Sequence, residues 1–187
     1  MLFDDNDLNK ESFDGEMTPK KVKIFEKLRD VFPTIKKGES VHYVSKSEWS
    51  MHDLVLYIID IIGPAELYAV TWSVSNEAVG EILKYLKNGK ITKMDFLVDW
   101  RVKVRRPEAY EFLKYNATKL YVSNTHAKVA VLRNENYHIS IVSSANFTNN
   151  PRIESGVLTE SKKIADFHIG WISEEIAGAK PFEEGES

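Results

Sequence analysis

Apolar residues recur at helical spacing over Pro19–Phe32, where Val22, Phe25, Leu28, Val31 and Phe32 line one side until Pro33 stops the run. Lys36, Lys37 and Gly38 read as a turn, and Val41–Val44 as a short strand. A second helical stripe (Leu54, Val55, Ile58, Ile59, Ile62) follows Ser47, read as its N-cap, and ends at Gly63 and Pro64. Glu66–Trp72 is rich in strand formers. Asn76–Leu86 returns to helical spacing and closes at Asn88 and Gly89, and Met94–Trp100 is the next strand. Pro107 opens a helix that continues over Glu108–Tyr115. Four short strands follow, at Leu120–Val122, Ala127–Leu132, Ile139–Ser143 and Glu154–Thr159, then a last helix over Ser161–Ile176 with Ser161 as its cap.

Strands alternate with helices early and cluster late. Alternation predicts parallel strands with helical crossovers, and the cluster predicts hairpins added to the same sheet. The expected fold is therefore α/β, a mixed, largely parallel central sheet flanked by helices. One domain is expected over residues 18–177, between a flexible acidic leader (1–17) and an acidic tail (178–187). No internal repeat or low-complexity stretch interrupts it.

With 187 residues, 43% hydrophobic and 28% charged, the chain has the composition of a globular domain. It has no cysteine, which excludes disulfides and thiolate metal sites. The longest apolar run, Leu54–Ile62, is broken by Asp60 and is far shorter than the ~20 residues that span a bilayer. The acidic N-terminus lacks the pattern of a signal peptide, so a cytoplasmic protein is expected. The net charge of -3 hides an asymmetry. Residues 1–16 carry -5 and residues 174–187 carry -4, which leaves +6 on the stretch between them. A basic body with acidic ends suits an anionic partner.

The chemistry concentrates after residue 120. In an extended segment, His126 and Lys128 project to the same side while Ala127 projects to the other. A neutral imidazole can attack phosphorus, and a neighbouring ammonium can hold the phosphate oxygens and stabilise developing charge. At the end of the Ile139 strand, Ser144 and Asn146 offer uncharged donors for phosphate oxygens. Eight residues beyond Asn146, the carboxylate of Glu154 can accept a proton from an imidazole nitrogen and fix its tautomer.

His126-Ala127-Lys128, then Ser143-Ser144-Ala145-Asn146, then Glu154, resembles the phospholipase D superfamily, and most closely its single-motif bacterial nucleases. The order of elements corresponds from about Ala65 to Thr159. The resemblance implies that His126 forms a phosphohistidine, that Lys128 and Asn146 hold the phosphate, and that Glu154 orients His126. It implies no metal and no cofactor. The superfamily needs two such motifs per site, and none of His42, His52, His138 or His168 is followed by lysine two residues on. A homodimer sharing one active site is therefore implied. Two positions depart from the family pattern. Arg133 stands where the fuller motif has Asp, and Ser143 stands where Gly often precedes the family's Ser.

Other residues bear on substrate. Arg101, Lys103, Arg105 and Arg106 alternate with Val102 and Val104, which on an extended strand end puts the basic groups on one side, suited to a nucleic-acid backbone. The competing reading is a solvated edge paired with Glu108 and Glu111. Trp72 and Trp100 end strands and are read as core in preference to a stacking surface. Arg152 has two readings, substrate phosphate or Glu154. The histidines show no metal-ligand spacing. The favoured function is a metal-independent phosphodiesterase acting on DNA or RNA. The alternative is a catalytically silent nucleic-acid-binding or assembly module; a phospholipase is less favoured, because no stretch reads as a basic amphipathic surface helix.

Overall fold

A computed structural model describes residues 18–149 and 152–178. The acidic leader 1–17 and all of the acidic tail beyond residue 178 lie outside the described residues. In chain order the elements are α1 (Pro19–Val31), β1 (Ser40–Val44), α2 (Met51–Ile62), β2 (Ala65–Thr71), α3 (Asn76–Lys87), β3 (Ile91–Asp99) and α4 (Trp100–Arg105). They continue with α5 (Pro107–Asn116), β4 (Lys119–Ser123), β5 (Val129–Arg133), β6 (His138–Ser143), β7 (Ser155–Glu160) and α6 (Lys162–Gly178).

Seven strands form one sheet in the order β1-β7-β6-β5-β2-β3-β4. The expected mixed sheet with flanking helices is found, but its parallel part is the smaller one. Among the described strands only β2–β3 and β3–β4 pair in parallel, joined by the helical crossovers α3 and α4–α5. β2–β5, β5–β6, β6–β7 and β1–β7 are antiparallel. β5 decides this outcome. It enters beside β2 in the opposite direction, with Val70 opposite Val129, so each later strand added to that side also alternates in direction.

Side-chain alternation divides the core between the two faces of the sheet. Leu67 and Ala69 of β2, Phe96 and Val98 of β3 and Ala130 and Leu132 of β5 face the layer of α1, α2, α3 and α5. Tyr68 and Val70, Leu97, and Val129 and Val131 face α6 through Ala165 and Ile172. Both faces are covered, so the central strands are apolar on both sides.

Helix starts follow local chemistry. α2 is capped by Ser50 and not by Ser47, in a reciprocal box with Asp53: Asp53 N–H donates to Ser50 Oγ (3.4 Å) and Ser50 N–H donates to Asp53 Oδ2 (2.8 Å). Lys46 and Ser47 take positive φ in the turn before it, which removes Ser47 from the cap. Gly63, at φ 81°, ends the helix in a conformation costly for a residue with a Cβ. The Met94 strand stops at Asp99, and Trp100–Arg105 is helix, not extended basic strand. Asp99 causes the switch by accepting a hydrogen bond from the Arg101 backbone N–H (3.0 Å) as N-cap.

Candidate active site

Opposed strand directions bring the C-terminal ends of β2, β3 and β6 and the N-terminal ends of β5 and β7 to the same side of the sheet. The His126-Ala127-Lys128 segment leads into β5. Ser143 N–H donates to Lys128 O (3.1 Å), which ties this segment to the end of β6. Ser75 N–H donates to Phe147 O (2.9 Å), and Val74 bridges Phe147, so the loops after β2 and β6 run together.

His126 and Lys128 meet as the sequence leads one to expect. Lys128 Nζ lies 3.0 Å from His126 Nδ1 and 3.4 Å from Nε2, and donates to His126 O (2.7 Å). Lys128 is buried (8% exposed) and His126 is exposed. Burial pushes the Lys128 ammonium below the usual lysine range, against the attraction of Glu154.

Ser144 and Asn146 follow β6 in irregular chain and take different partners. Asn146 Oδ1 accepts from Thr71 Oγ1 (3.3 Å), and the Thr71 hydroxyl also lies 2.8 Å from Ser73 O. The amide nitrogen of Asn146 has no partner among the described residues, so its N–H groups are available to a phosphate oxygen. Ser144 Oγ donates to Glu154 Oε2 and accepts from Ser155 N–H (3.0 Å). Glu154 therefore joins the site through Ser144 and through its field at Lys128. No hydrogen bond links it to His126 among the described residues. Arg152 is exposed and makes no ion pair with Glu154 among the described residues.

The helical form of Trp100–Arg105 changes the expected basic stripe. At about 100° per residue, Arg101 and Arg105 share a face and Lys103 turns to another. Arg101, Arg105 and Arg106 line a cavity with Trp72, Ser73 and Val102, and Lys103 does not. Trp72 is half-buried and belongs to the site, not the core: its ring centroid is 5.5 Å from that of His126. Trp100 is 36% exposed and is not core either. In both cases the chain leaves the strand at that residue, so the side chain clears the sheet.

Three contributors escaped the sequence reading. Thr71 positions Asn146. Asp99, fully buried, pairs with Arg101 (Nε–Oδ1 2.7 Å) and accepts the Thr125 N–H (3.3 Å), so one carboxylate braces both the arginine and the loop that carries His126. Tyr43 of β1 lines a cavity together with Ser143 and Gly156. Burial, partly offset by Ser143 and reinforced by Glu154, raises its phenol to about 12. The signal for Thr71 and Asp99 was position, since both are polar residues at the C-terminal ends of parallel strands, directly after the apolar stretches Ala69-Val70 and Phe96-Leu97-Val98. Tyr43 carried no such signal.

Arg133, where the family pattern has Asp, lies at the far end of β5. It pairs with Glu66 (Nη2–Oε2 2.6 Å) and Tyr68 Oη (2.9 Å), outside the site. The structure also gathers His52, Asp53 and Glu81 within 4.8 Å of one another. The Lys21 ammonium already sits on both carboxylates. Spacing gave no hint of this cluster, because its members come from two helices, α2 and α3, and its lysine from a third, α1.

This arrangement is a phospholipase D-like fold. Nuc, a phospholipase D family member from Salmonella typhimurium, superposes with TM-score 0.59 at 18% identity, over 78% of this chain and 100% of Nuc. NucT from Helicobacter pylori gives TM-score 0.55 at 14% identity, over 77% of this chain and 100% of NucT. TrmBL2, an archaeal chromatin protein with a novel mode of DNA binding, gives TM-score 0.50 at 10% identity, over 83% of this chain and 60% of its own. No family model matches the sequence, and no curated protein matches it significantly. No described helix is long and apolar enough to cross a membrane.

Proposed function

We propose that this chain is a phosphodiesterase acting on nucleic acid, with His126 as nucleophile in a site completed by a second copy of the chain. The observation that carries it is the Lys128 ammonium, 3.0 Å from His126 Nδ1 at the mouth of β5, with Asn146 and Glu154 brought in by the β6–β7 loop. The likeness to Nuc and NucT supports the same reading.

An imidazole nitrogen of His126 attacks phosphorus, a P–N bond forms and the bond to the leaving oxygen breaks. The imidazolium of the partner subunit's His126 gives its proton to that oxygen. The partner's His126, now neutral, takes a proton from water, whose oxygen attacks phosphorus and breaks the P–N bond. Lys128 and the Asn146 amide hold the non-bridging oxygens. Glu154 balances the Lys128 charge and keeps Ser144 in place. The imidazole supplies the nucleophile, so the scheme needs no metal-activated water.

The test is cleavage of plasmid, single-stranded DNA, RNA and a chromogenic phosphodiester in EDTA by the full chain and by His126→Ala. Cleavage lost in the variant supports the reading. Binding of nucleic acid without turnover of any substrate would sink it. That outcome would favour a silent DNA-binding module, the reading to which the likeness to TrmBL2 lends support.

A further inference from the structure

Next to His126 lies the cavity of about 390 Å³ lined by Trp72, Ser73, Arg101, Val102, Arg105 and Arg106. Two strand ends build it: the residues just after β2 supply Trp72 and Ser73, and α4, just after β3, supplies the arginines with Arg106. The Trp72 ring is 5.5 Å from the His126 ring, so whatever occupies the cavity is a close neighbour of the group at the imidazole.

The cavity's cations differ in availability. Arg101 is committed: Asp99 holds its Nε at 2.7 Å, and its guanidinium lies 5.2 Å from the Trp72 centroid and 5.6 Å from that of Trp100. It braces the indole instead of seeking an anion. The side chains of Arg105 and Arg106 are exposed, and neither makes a hydrogen bond or ion pair with any described residue. Among the described residues Trp72 Nε1 has no hydrogen-bond partner, and the indole meets the Arg101 guanidinium and the His126 ring. One braced aromatic ring beside two uncommitted guanidiniums matches a flat, apolar-faced group joined to an anion. A nucleotide is such a group: its base stacks on an aromatic ring and its phosphate takes arginine.

Size narrows the choice further. About 390 Å³ is at the low end of the ~300–1,000 Å³ range of small-molecule sites, room for one nucleotide and not for a paired duplex. A base offers its face to tryptophan only when it has left its own stack, as in a single strand or a flipped nucleotide.

We propose that this cavity is a nucleobase subsite: the base adjoining the scissile phosphate lies on Trp72, its flanking phosphate is held by Arg105 and Arg106, and the substrate is single-stranded or locally unpaired nucleic acid. This rests on the reading of His126 as the group that attacks the neighbouring phosphate.

The experiment measures binding by fluorescence anisotropy in the full-length His126→Ala chain, which cannot turn over. The probes are a labelled thymidine 12-mer, an abasic strand of equal length and a 12-base-pair duplex. The thymidine strand is expected to bind on the order of tenfold more tightly than the abasic strand, within the range that one base–aromatic stack produces. Adding Trp72→Ala removes that difference and Trp72→Tyr retains most of it. Trp72→Leu keeps apolar bulk without a π face and serves if the alanine variant does not fold. Equal weakening of thymidine and abasic strands by these variants overturns the proposal, as does a duplex bound as tightly as the single strand. The two readings fail separately. Base-dependent binding with no turnover by the unaltered chain sinks the phosphodiesterase and leaves the subsite. Turnover without base dependence does the reverse.

Discussion

Lys128 clamps His126 from two directions, with its ammonium 2.7 Å from the histidine's own carbonyl oxygen and 3.0 Å from Nδ1 of the ring. The carbonyl anchors the charge and the charge faces the imidazole, so the electrophilic group and the proposed nucleophile are positioned together. Because Lys128 is buried, this charge is worth more to a phosphoryl transition state than the same charge in water.

The alkaline limb of the rate profile reports on Lys128. Its ammonium is needed in charged form, and burial lowers its pKa, so activity falls as pH rises through a value below the ordinary 10.5. A kcat/KM profile is expected to show this limb, and Lys128→Arg is expected to move it upward out of range, because guanidinium stays charged. A limb left in place by Lys128→Arg assigns it to another group.

The shared site predicts a dimer. Sedimentation at micromolar concentration should give twice the chain mass, and turnover per chain should fall on dilution through the dissociation range. A monomer that remains active at those concentrations rules the shared site out.

Asp99 is a positioning residue, since it braces the Thr125 N–H and Arg101 without a free oxygen facing substrate. Asp99→Asn is expected to lower kcat/KM by about tenfold, a misplacement effect of about 1.4 kcal/mol. Part of the loss should appear in KM through the Trp72 ring that Arg101 braces and part in kcat through the His126 loop. A change confined to the unfolding midpoint would make Asp99 purely structural.

The Lys21–Asp53 pair anchors α1 to the start of α2. Burial disfavours the Asp53 carboxylate, but His52, Lys21 and Ser50 together outweigh it and hold the carboxyl below its ordinary 3.8. The folded pKa is thus below the unfolded one, so this stabilisation is complete above the unfolded value and is lost as pH falls through the folded one. Asp53→Asn should cost about 1.5–3 kcal/mol near neutral pH, because it removes one of the two carboxylates on a buried ammonium and leaves Glu81, and should flatten the acid side of the stability curve. Urea unfolding across pH measures both.

Gly156 admits Tyr43. A Cβ there would lie 2.6 Å from Tyr43 Oη and 2.8 Å from the Val142 carbonyl oxygen. Gly156→Ala is expected to destabilise by about 1–3 kcal/mol. In a Tyr43→Ala background the cost should shrink without vanishing, since the Val142 carbonyl stays. Fully additive losses in the double-mutant cycle would show that the two residues do not compete for the same space.

The periodicities in the sequence were enough to place most helices and strands, because burial on both faces leaves an unambiguous apolar pattern in β2, β3 and β5. Strand direction was not legible: nothing local to Val129–Arg133 says that it enters antiparallel to β2, and that choice set the character of half the sheet. The basic run after β3 was misjudged because alternating Val and Arg reads as strand, whereas one buried carboxylate, Asp99, caps a helix there. His126 with Lys128 was legible because both sit two residues apart on one stretch of chain. Thr71 with Asn146, and Asp99 with Thr125, were not, because each pair joins residues that only the sheet brings together.

The dependence of the site on β5 also sets when the chain acquires its chemistry. Thr71 and Trp72 are made early, but the imidazole reaches them only after β5 has paired across the sheet with β2, and Glu154 arrives only with the start of β7. Closing such long sequence separations is slow and comes late in folding. A chain still emerging from the ribosome with β2 and β3 already paired therefore holds Thr71 and Trp72 without their partners, and the proposed site is assembled only once β5 and the start of β7 have joined the sheet.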